Sequence, residues 1–163
     1  MMTSSQEADR AMVRHALATL AYRGAKALRD VPAAVSAYRA APGSRMPLEL
    51  LAHMGDLMEW ALSLAKGEPA WHDSTPLAWE KEQTRFFETL GRFDDCLASS
   101  EPLHASLQKL FQGPVADALT HVGQIAMLRR MAGSPMRGEN YFVADVVVGR
   151  VGPDQAAPTK EFA

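Results

Sequence analysis

Apolar side chains recur every three or four residues along most of this chain, which is the spacing of one face of an α-helix. The clearest stripe comprises Leu50, Met54, Leu57, Ala61 and Leu64. Proline and glycine punctuate the pattern, because proline suits a first helical turn and glycine suits a helix end. The pattern predicts four long helices, over residues 5–29, 47–66, 76–98 and 115–132.

The connections between these helices carry their own proline signals. Pro32 interrupts the first helix but suits a new first turn, so the helix is predicted to continue with a kink over 33–39. A short helical segment is predicted over 102–111. Gly113 and Pro114 are then expected to break the chain before the last helix begins.

The C-terminal part of the chain has a different pattern. Residues 141–148 are rich in β-forming side chains and predict a strand or an extended arm. Four helices with short connections make an all-α four-helix bundle the default architecture. We therefore expect one domain over residues 1–152, which includes the arm, and a loose tail over 153–163.

Composition excludes several classes of function. The chain has 163 residues, and 17 basic against 19 acidic side chains give a net charge of −2. Overall charge therefore does not favour nucleic acid or anionic lipid, although a basic face between Arg10 and Arg29 leaves nucleic-acid binding as the weakest alternative. No stretch is long and apolar enough to cross a bilayer. Cys96 is the only cysteine, so no internal disulfide is possible and a cytoplasmic location is expected.

Three polar side chains on apolar helices are the candidates for chemistry. His53 lies roughly 60° from the centre of the apolar stripe on its helix. Asp117 and His121 are four residues apart, so they share one face of the last helix. If the two helices pack together, two imidazoles and one carboxylate converge, which is a common ligand set for a divalent metal with open positions. Glu49 or Gln124 could support these ligands, and Trp60 and Trp79 could line the pocket.

The same candidate residues also have structural interpretations that involve no metal. A single histidine on an apolar face is more often a hydrogen-bonded core residue than a ligand, and an aspartate one turn before a histidine is more often a helix pair or a dipole partner. Cys96 follows two acidic residues, which disfavours a thiolate, so a packing role is expected. The other histidines are expected at the surface or in loops, at positions His15, His72 and His104. Five methionines are expected to fill the core: Met12, Met54, Met58, Met127 and Met131.

Two motifs resemble a known family. The run GPVADALTHVGQI over residues 113–125 resembles the last-helix signature of the DinB-like superfamily, in which a histidine followed by x-Gly-Gln closes a metal site. The run PLELLAHM over 47–54 resembles the segment that carries the first metal ligand of that family. The residues that continue the last helix, over 128–141, resemble one bacterial branch.

The resemblance implies an up-down-down-up four-helix bundle that forms a homodimer and holds one divalent ion, zinc, nickel, iron or manganese. His53 and His121 match two of the three histidine ligands usual in the family. The third ligand position, four residues before the second histidine, is Asp117 in this chain. A carboxylate also binds divalent metals well, so the departure preserves ligand chemistry.

Two functions from different classes follow. The first is a metal-dependent enzyme with a His53, Asp117 and His121 site, acting on a small molecule as a thiol-dependent transferase or hydrolase. Its expected partners are a small-molecule substrate, a low-molecular-weight thiol and a second copy of the chain, with no nucleic acid and no membrane. The alternative is a non-catalytic binding or structural protein that uses the same helical bundle without chemistry.

Overall fold

Residues 4–162 are described by the computed structural model, and they contain α-helices and no β-strand. Its α-helices are α1 (Ser4–Leu28), α2 (Ala33–Ser36), α3 (Pro47–Lys66), α4 (Trp79–Ala98), α5 (Leu107–Leu110) and α6 (Ala116–Met131). A π-helical segment, Phe111–Val115, joins α5 to α6, and a 3-10 turn, Tyr141–Val143, follows. Within the described range, no helix combines the length and apolar character that a bilayer crossing requires.

The four long helices bury one another's apolar faces. α1 packs against α4 and α6, and α3 packs against the same two helices. This arrangement positions α3 and α6, which carry the candidate ligands, side by side. The largest fully buried side chains come from all four long helices and α5: Phe86, Phe93, Leu17, Leu20, Leu28, Leu51, Met54, Met58, Leu90, Leu97, Leu110 and Ile125.

The methionines divide between the core and the surface. Met54 and Met58 on α3 are fully buried, as expected. Met12, Met127 and Met131 are more than half exposed, so the prediction that they fill the core is wrong. Their helices turn other residues toward the core, and the flexible apolar side chain of methionine is tolerated in solvent.

The expected break at Gly113 and Pro114 is also wrong, because the chain stays helical from α5 through the π segment into α6. Proline in an α-helix clashes with the carbonyl four residues earlier, and a wider π turn relieves that clash. Packing of the segment against α3 buries Pro114 and Val115, which stabilises the turn. Asp117 therefore follows helical residues and does not lie at a free helix N-terminus.

The predicted strand over residues 141–148 does not form. The segment consists of the 3-10 turn followed by tight turns, in which Val146 N bonds Ala144 O and Arg150 N bonds Val147 O, each at 3.0 Å. β-Forming side chains need a neighbouring strand, and none lies beside this segment in the described residues. The one bridge described nearby joins Glu139 to Glu161 and is isolated.

Two glutamates of the C-terminal region contact α1. The side chain of Glu139 is fully buried, where it accepts a hydrogen bond from the Tyr22 hydroxyl and pairs with Lys26 at 2.8 Å. Lys26 also pairs at 3.0 Å with Glu161, which lies in the predicted loose tail over 153–163. Lys26 therefore links Glu139 and Glu161 to the first helix.

Candidate metal centre

His53, Asp117 and His121 come together where α3 packs on α6. His53 Nε2 lies 3.5 Å from Asp117 Oδ2, and His121 Nε2 lies 3.2 Å from Asp117 Oδ1. The two imidazole rings meet edge to face, with their centroids 4.9 Å apart. One ligand atom from each of the three residues lies within 4.8 Å of the other two. The structure thus brings all three sequence-predicted candidates to one point.

The two nitrogen–oxygen spacings in the cluster match those between ligands of a metal ion. Ligands about 2.1 Å from a zinc ion at tetrahedral or octahedral angles lie roughly 3.0–3.5 Å from one another. Both nitrogen–oxygen distances in the cluster fall at or within that range. The histidine side chains are 16% and 10% exposed, whereas Asp117 is 46% exposed. The cluster is therefore closed on its imidazole side and open toward solvent on its carboxylate side.

Gln124 contacts the ring of His121 at the nitrogen that does not face Asp117. Gln124 Oε1 lies 2.7 Å from His121 Nδ1, and an amide oxygen only accepts hydrogen bonds, so the contact is a hydrogen bond when Nδ1 carries the proton. In that tautomer, Nε2 presents its lone pair beside Asp117 Oδ1, 3.2 Å away. Gln124 therefore has the position expected of a residue that orients a metal ligand.

His53 is held in its neutral form. Burial is the main cause that lowers the pKa of His53, and the positive charge of Arg45 and the neighbouring His121 lower it further. Hydrogen bonding to Asp117 acts in the opposite direction but does not reverse the shift. A neutral imidazole is the form that binds metal, so His53 is available as a ligand near pH 7.

Trp71 covers the outer side of His53. Its ring lies 5.6 Å from the His53 ring and 5.7 Å from the Trp60 ring, both in edge-to-face geometry. Trp60 thus contacts Trp71 and lines neither of the two cavities that border the cluster. Trp79 is buried in the helical core, and the suggestion that it lines the site is wrong.

A buried ionic network fixes the segment between α3 and α4 that carries Trp71. Arg85 on α4 pairs with Asp56 at 2.8 Å and with Glu82 at 2.8 Å. Asp56 Oδ2 also accepts a hydrogen bond from Ser74 N at 3.0 Å, and Glu82 Oε1 accepts one from Leu77 N at 2.8 Å. The two carboxylates therefore hold the backbone of this segment while Arg85 compensates their charge.

Two cavities border the cluster. The larger, about 450 Å³, has His121 and Gln124 in its wall beside apolar side chains of α3 and α6. The smaller, about 270 Å³, has His53 in its wall and is mostly polar. Arg45, in the loop before α3, belongs to both walls. A small molecule can therefore approach the cluster from either side.

Other sequence candidates lie outside the cluster. Glu49 accepts a hydrogen bond from Met46 N at 2.7 Å and pairs with Arg39 at 3.2 Å, so it caps α3 and does not support a ligand. His15, His72 and His104 are exposed, as expected. Cys96 is partly buried and packs against the core, also as expected.

Sequence reasoning missed Trp71 and Arg45. Both lie in loops, where no helical periodicity assigns a side chain to a face. A tryptophan in the polar stretch just after a candidate ligand helix is a weak signal that could have identified Trp71. No comparable signal marks Arg45.

Comparisons with family models, with curated proteins and with solved structures give no match to this chain. The DinB-like resemblance therefore stays a prediction carried by the two sequence motifs. The functional argument rests on the geometry of the cluster.

Proposed function

We propose that His53, Asp117 and His121 bind one divalent metal ion and that the protein is a metal-dependent enzyme acting on a small molecule. One observation carries the proposal: a single carboxylate lies 3.2 Å and 3.5 Å from the Nε2 atoms of two imidazoles from different helices. Gln124 supports it, because its oxygen directs the lone pair of His121 toward the same point.

The ligand set favours zinc, nickel, iron or manganese. Two imidazole nitrogens and one carboxylate oxygen suit divalent transition metals and leave positions for a substrate. A bound ion would supply Lewis-acid polarisation of a coordinated substrate group. The chain's own residues orient the ligands through Gln124 and shield His53 from water through Trp71.

The family resemblance implies the reaction class, a thiol-dependent transferase or a hydrolase. Cys96 lies in the wall of a separate cavity on α4 and borders neither cavity at the cluster. In the proposed reaction, the attacking group is therefore a small thiol or water from outside the chain, and not Cys96.

We also propose that the four long helices form the up-down-down-up bundle that the family resemblance implies. Arg14 pairs with Asp94, and Gly24 lies beside Phe86 in the structure, so α1 and α4 run in opposite directions. Gly24 also lies beside Val122 of α6, which gives one contact between the late part of α1 and α6.

The remaining helix directions support the same topology. Arg129 near the end of α6 donates to Ala27 O at 2.9 Å near the end of α1, so these two helices run in the same direction. Arg85 early in α4 donates to Ala52 O early in α3, at 2.7 Å. This contact is the one expected if α3 and α4, the second and third long helices along the chain, run in the same direction.

Metal content tests the proposal. The protein is purified without a histidine tag, treated with chelator, and offered zinc, nickel, iron(II) or manganese, with bound metal measured by elemental analysis and stability by thermal melting. We expect one equivalent in the wild type and at least a tenfold loss of affinity in His53→Ala, Asp117→Ala and His121→Ala. His15→Ala is the matched control, because His15 is exposed on α1.

Helix content by circular dichroism shows whether each variant is folded. A wild-type protein that takes up no metal and gains no thermal stability from any of the four ions contradicts the proposal. Equal metal content in His121→Ala and His15→Ala contradicts the assignment of the ligands.

Release of p-nitrophenolate from p-nitrophenyl acetate tests the catalytic part. Metal-loaded wild type is compared with His121→Ala, with and without added 2-mercaptoethanol as the thiol probe. Faster release with the thiol indicates a transferase, and release without it indicates a hydrolase. If the wild-type rate does not exceed the rate of His121→Ala in either condition, this probe gives no support to catalysis, and the non-catalytic binding protein becomes the better description.

A further inference from the structure

Arg45 is a charged group that the proposed metal site does not use. It is exposed in the loop before α3, and within residues 4–162 it forms no hydrogen bond or ion pair. Arg39 in the same loop region is paired with Glu49, whereas Arg92 on α4 is, in the described part of the chain, exposed and unpaired like Arg45, so it is its position that distinguishes Arg45. Arg45 belongs to the walls of both cavities that reach the cluster. Its guanidinium is therefore available to a ligand in either cavity.

The larger cavity offers an apolar surface next to His121. Leu50, Met127 and Leu128 are the apolar residues of its wall, and the polar residues are Ser44, Arg45, His121 and Gln124. Its volume of about 450 Å³ is of the size that holds small molecules, which typically occupy roughly 300–1,000 Å³. A ligand that fills it needs an apolar body.

The charges around Arg45 favour a ligand with a single negative charge. Three carboxylates lie in the wall of the smaller cavity with Arg45. Asp56 is compensated by Arg85 and Glu49 by Arg39, whereas Asp73 forms no ion pair in the described residues. One arginine among these acids can compensate a carboxylate, but a phosphate dianion would keep an excess negative charge beside Asp73.

We propose that the site binds small monoanionic amphiphiles, with the carboxylate on Arg45 and the apolar body against Leu50, Met127 and Leu128. The part of the molecule between these two ends then lies beside His121. The inference deepens the proposed function by naming its substrate class, and it rests on that function for the chemistry. Binding itself needs only the arginine and the cavity.

Calorimetric titration of full-length, chelator-treated protein with octanoate tests this inference. Octanamide has the same body without the charge, acetate has the charge without the body, and octyl phosphate carries a second charge. We expect saturable binding of octanoate and at least about tenfold weaker binding of the other three, since a charge-assisted hydrogen bond and apolar burial each contribute that much.

Two variants and one control locate the interaction. Arg45→Gln is expected to weaken octanoate binding about tenfold and to leave octanamide binding unchanged. Met127→Gln, at an exposed position of the cavity wall, is expected to weaken both probes about threefold. Arg92→Gln removes a positive charge from an exposed residue on α4 and is expected to have no effect.

The inference is overturned if wild type shows no saturable octanoate binding, if Arg45→Gln binds octanoate like Arg92→Gln, or if octyl phosphate binds more tightly than octanoate. These outcomes are independent of the metal assay. Octanoate binding through Arg45 in a protein that takes up no metal would support this inference and contradict the proposed function. Metal uptake by a protein whose octanoate binding is unchanged in Arg45→Gln would support the proposed function and contradict this inference.

Discussion

Gly55→Ala is expected to destabilise the protein, although helix propensity alone predicts the opposite. Gly55 lies inside α3, where alanine is favoured over glycine by about 1 kcal/mol. A Cβ at this position would lie 2.8 Å from Arg85 Cζ and 2.9 Å from Arg85 Nη2. Contacts this short require the guanidinium to move.

The cost of that movement can be worked from the bonds that hold Arg85. Its guanidinium donates to Ala52 O at 2.7 Å and to Asp56 Oδ1 at 2.8 Å, and both bonds lie on the side of α3. Each hydrogen bond to or from a charged group contributes about 1.5–3 kcal/mol, and the gain from alanine offsets about 1 kcal/mol. If both bonds are lost, the expected net loss is about 2–5 kcal/mol, which lowers Tm by roughly 4–20 °C in a chain of this size.

Urea denaturation and thermal melting measure the change, with Gly123→Ala as the matched control. A Cβ at Gly123 in α6 meets no atom within 4 Å, so this variant should gain about 0.5–1 kcal/mol. In an Arg85→Ala background, which removes the obstructing group, Gly55→Ala should no longer destabilise the protein and should gain about 0.5–1 kcal/mol, as at Gly123. If Gly55→Ala raises Tm as Gly123→Ala does, the packing of Arg85 over Gly55 and the reasoning built on it are wrong.

Two further predictions concern the metal ligand and the oligomer. Gln124→Leu should weaken metal affinity about 10–100-fold by freeing the His121 ring, whereas Gln124→Glu keeps an acceptor for Nδ1 and should retain most of the affinity. Competition with a chromophoric chelator measures both, and equal affinities in the two variants would refute a positioning role for Gln124. For the homodimer that the family resemblance implies, Phe142 is the residue we test, because its side chain is 96% exposed. We expect light scattering to give a dimer for wild type and a monomer for Phe142→Ser with unchanged helix content by circular dichroism, and a dimer in both would exclude Phe142 from the interface.

Apolar periodicity, proline and glycine predicted the long helices well, because these features act between residues close together in the chain. α3 has the predicted bounds, since Pro47 favours a first turn and Gly67 adopts the left-handed conformation, with φ at 79°, that ends a helix. α4 begins at Trp79, three residues after the predicted start. The error is of the kind expected where proline permits a helix start without requiring one.

Local signals failed where packing decided the conformation. Gly113 and Pro114 have the composition of a break, but burial against α3 keeps them in a π turn. The β-forming residues over 141–148 find no strand to pair with, so they form turns. In the first case a contact with a distant part of the chain outweighed the local propensity, and in the second the absence of a partner strand in the described residues left the propensity without effect.

In the candidate site too, contacts within one helix were predictable from the sequence and contacts between different elements were not. That Asp117 and His121 share a face was predictable, because residues four apart on a helix must do so. Packing between helices and loops brings His53 to them, places Trp71 over His53, and puts Arg45 where two cavities meet the cluster. Helical periodicity fixes neighbours along one element, whereas neighbours from different elements depend on how buried faces pack, which involves the whole core at once.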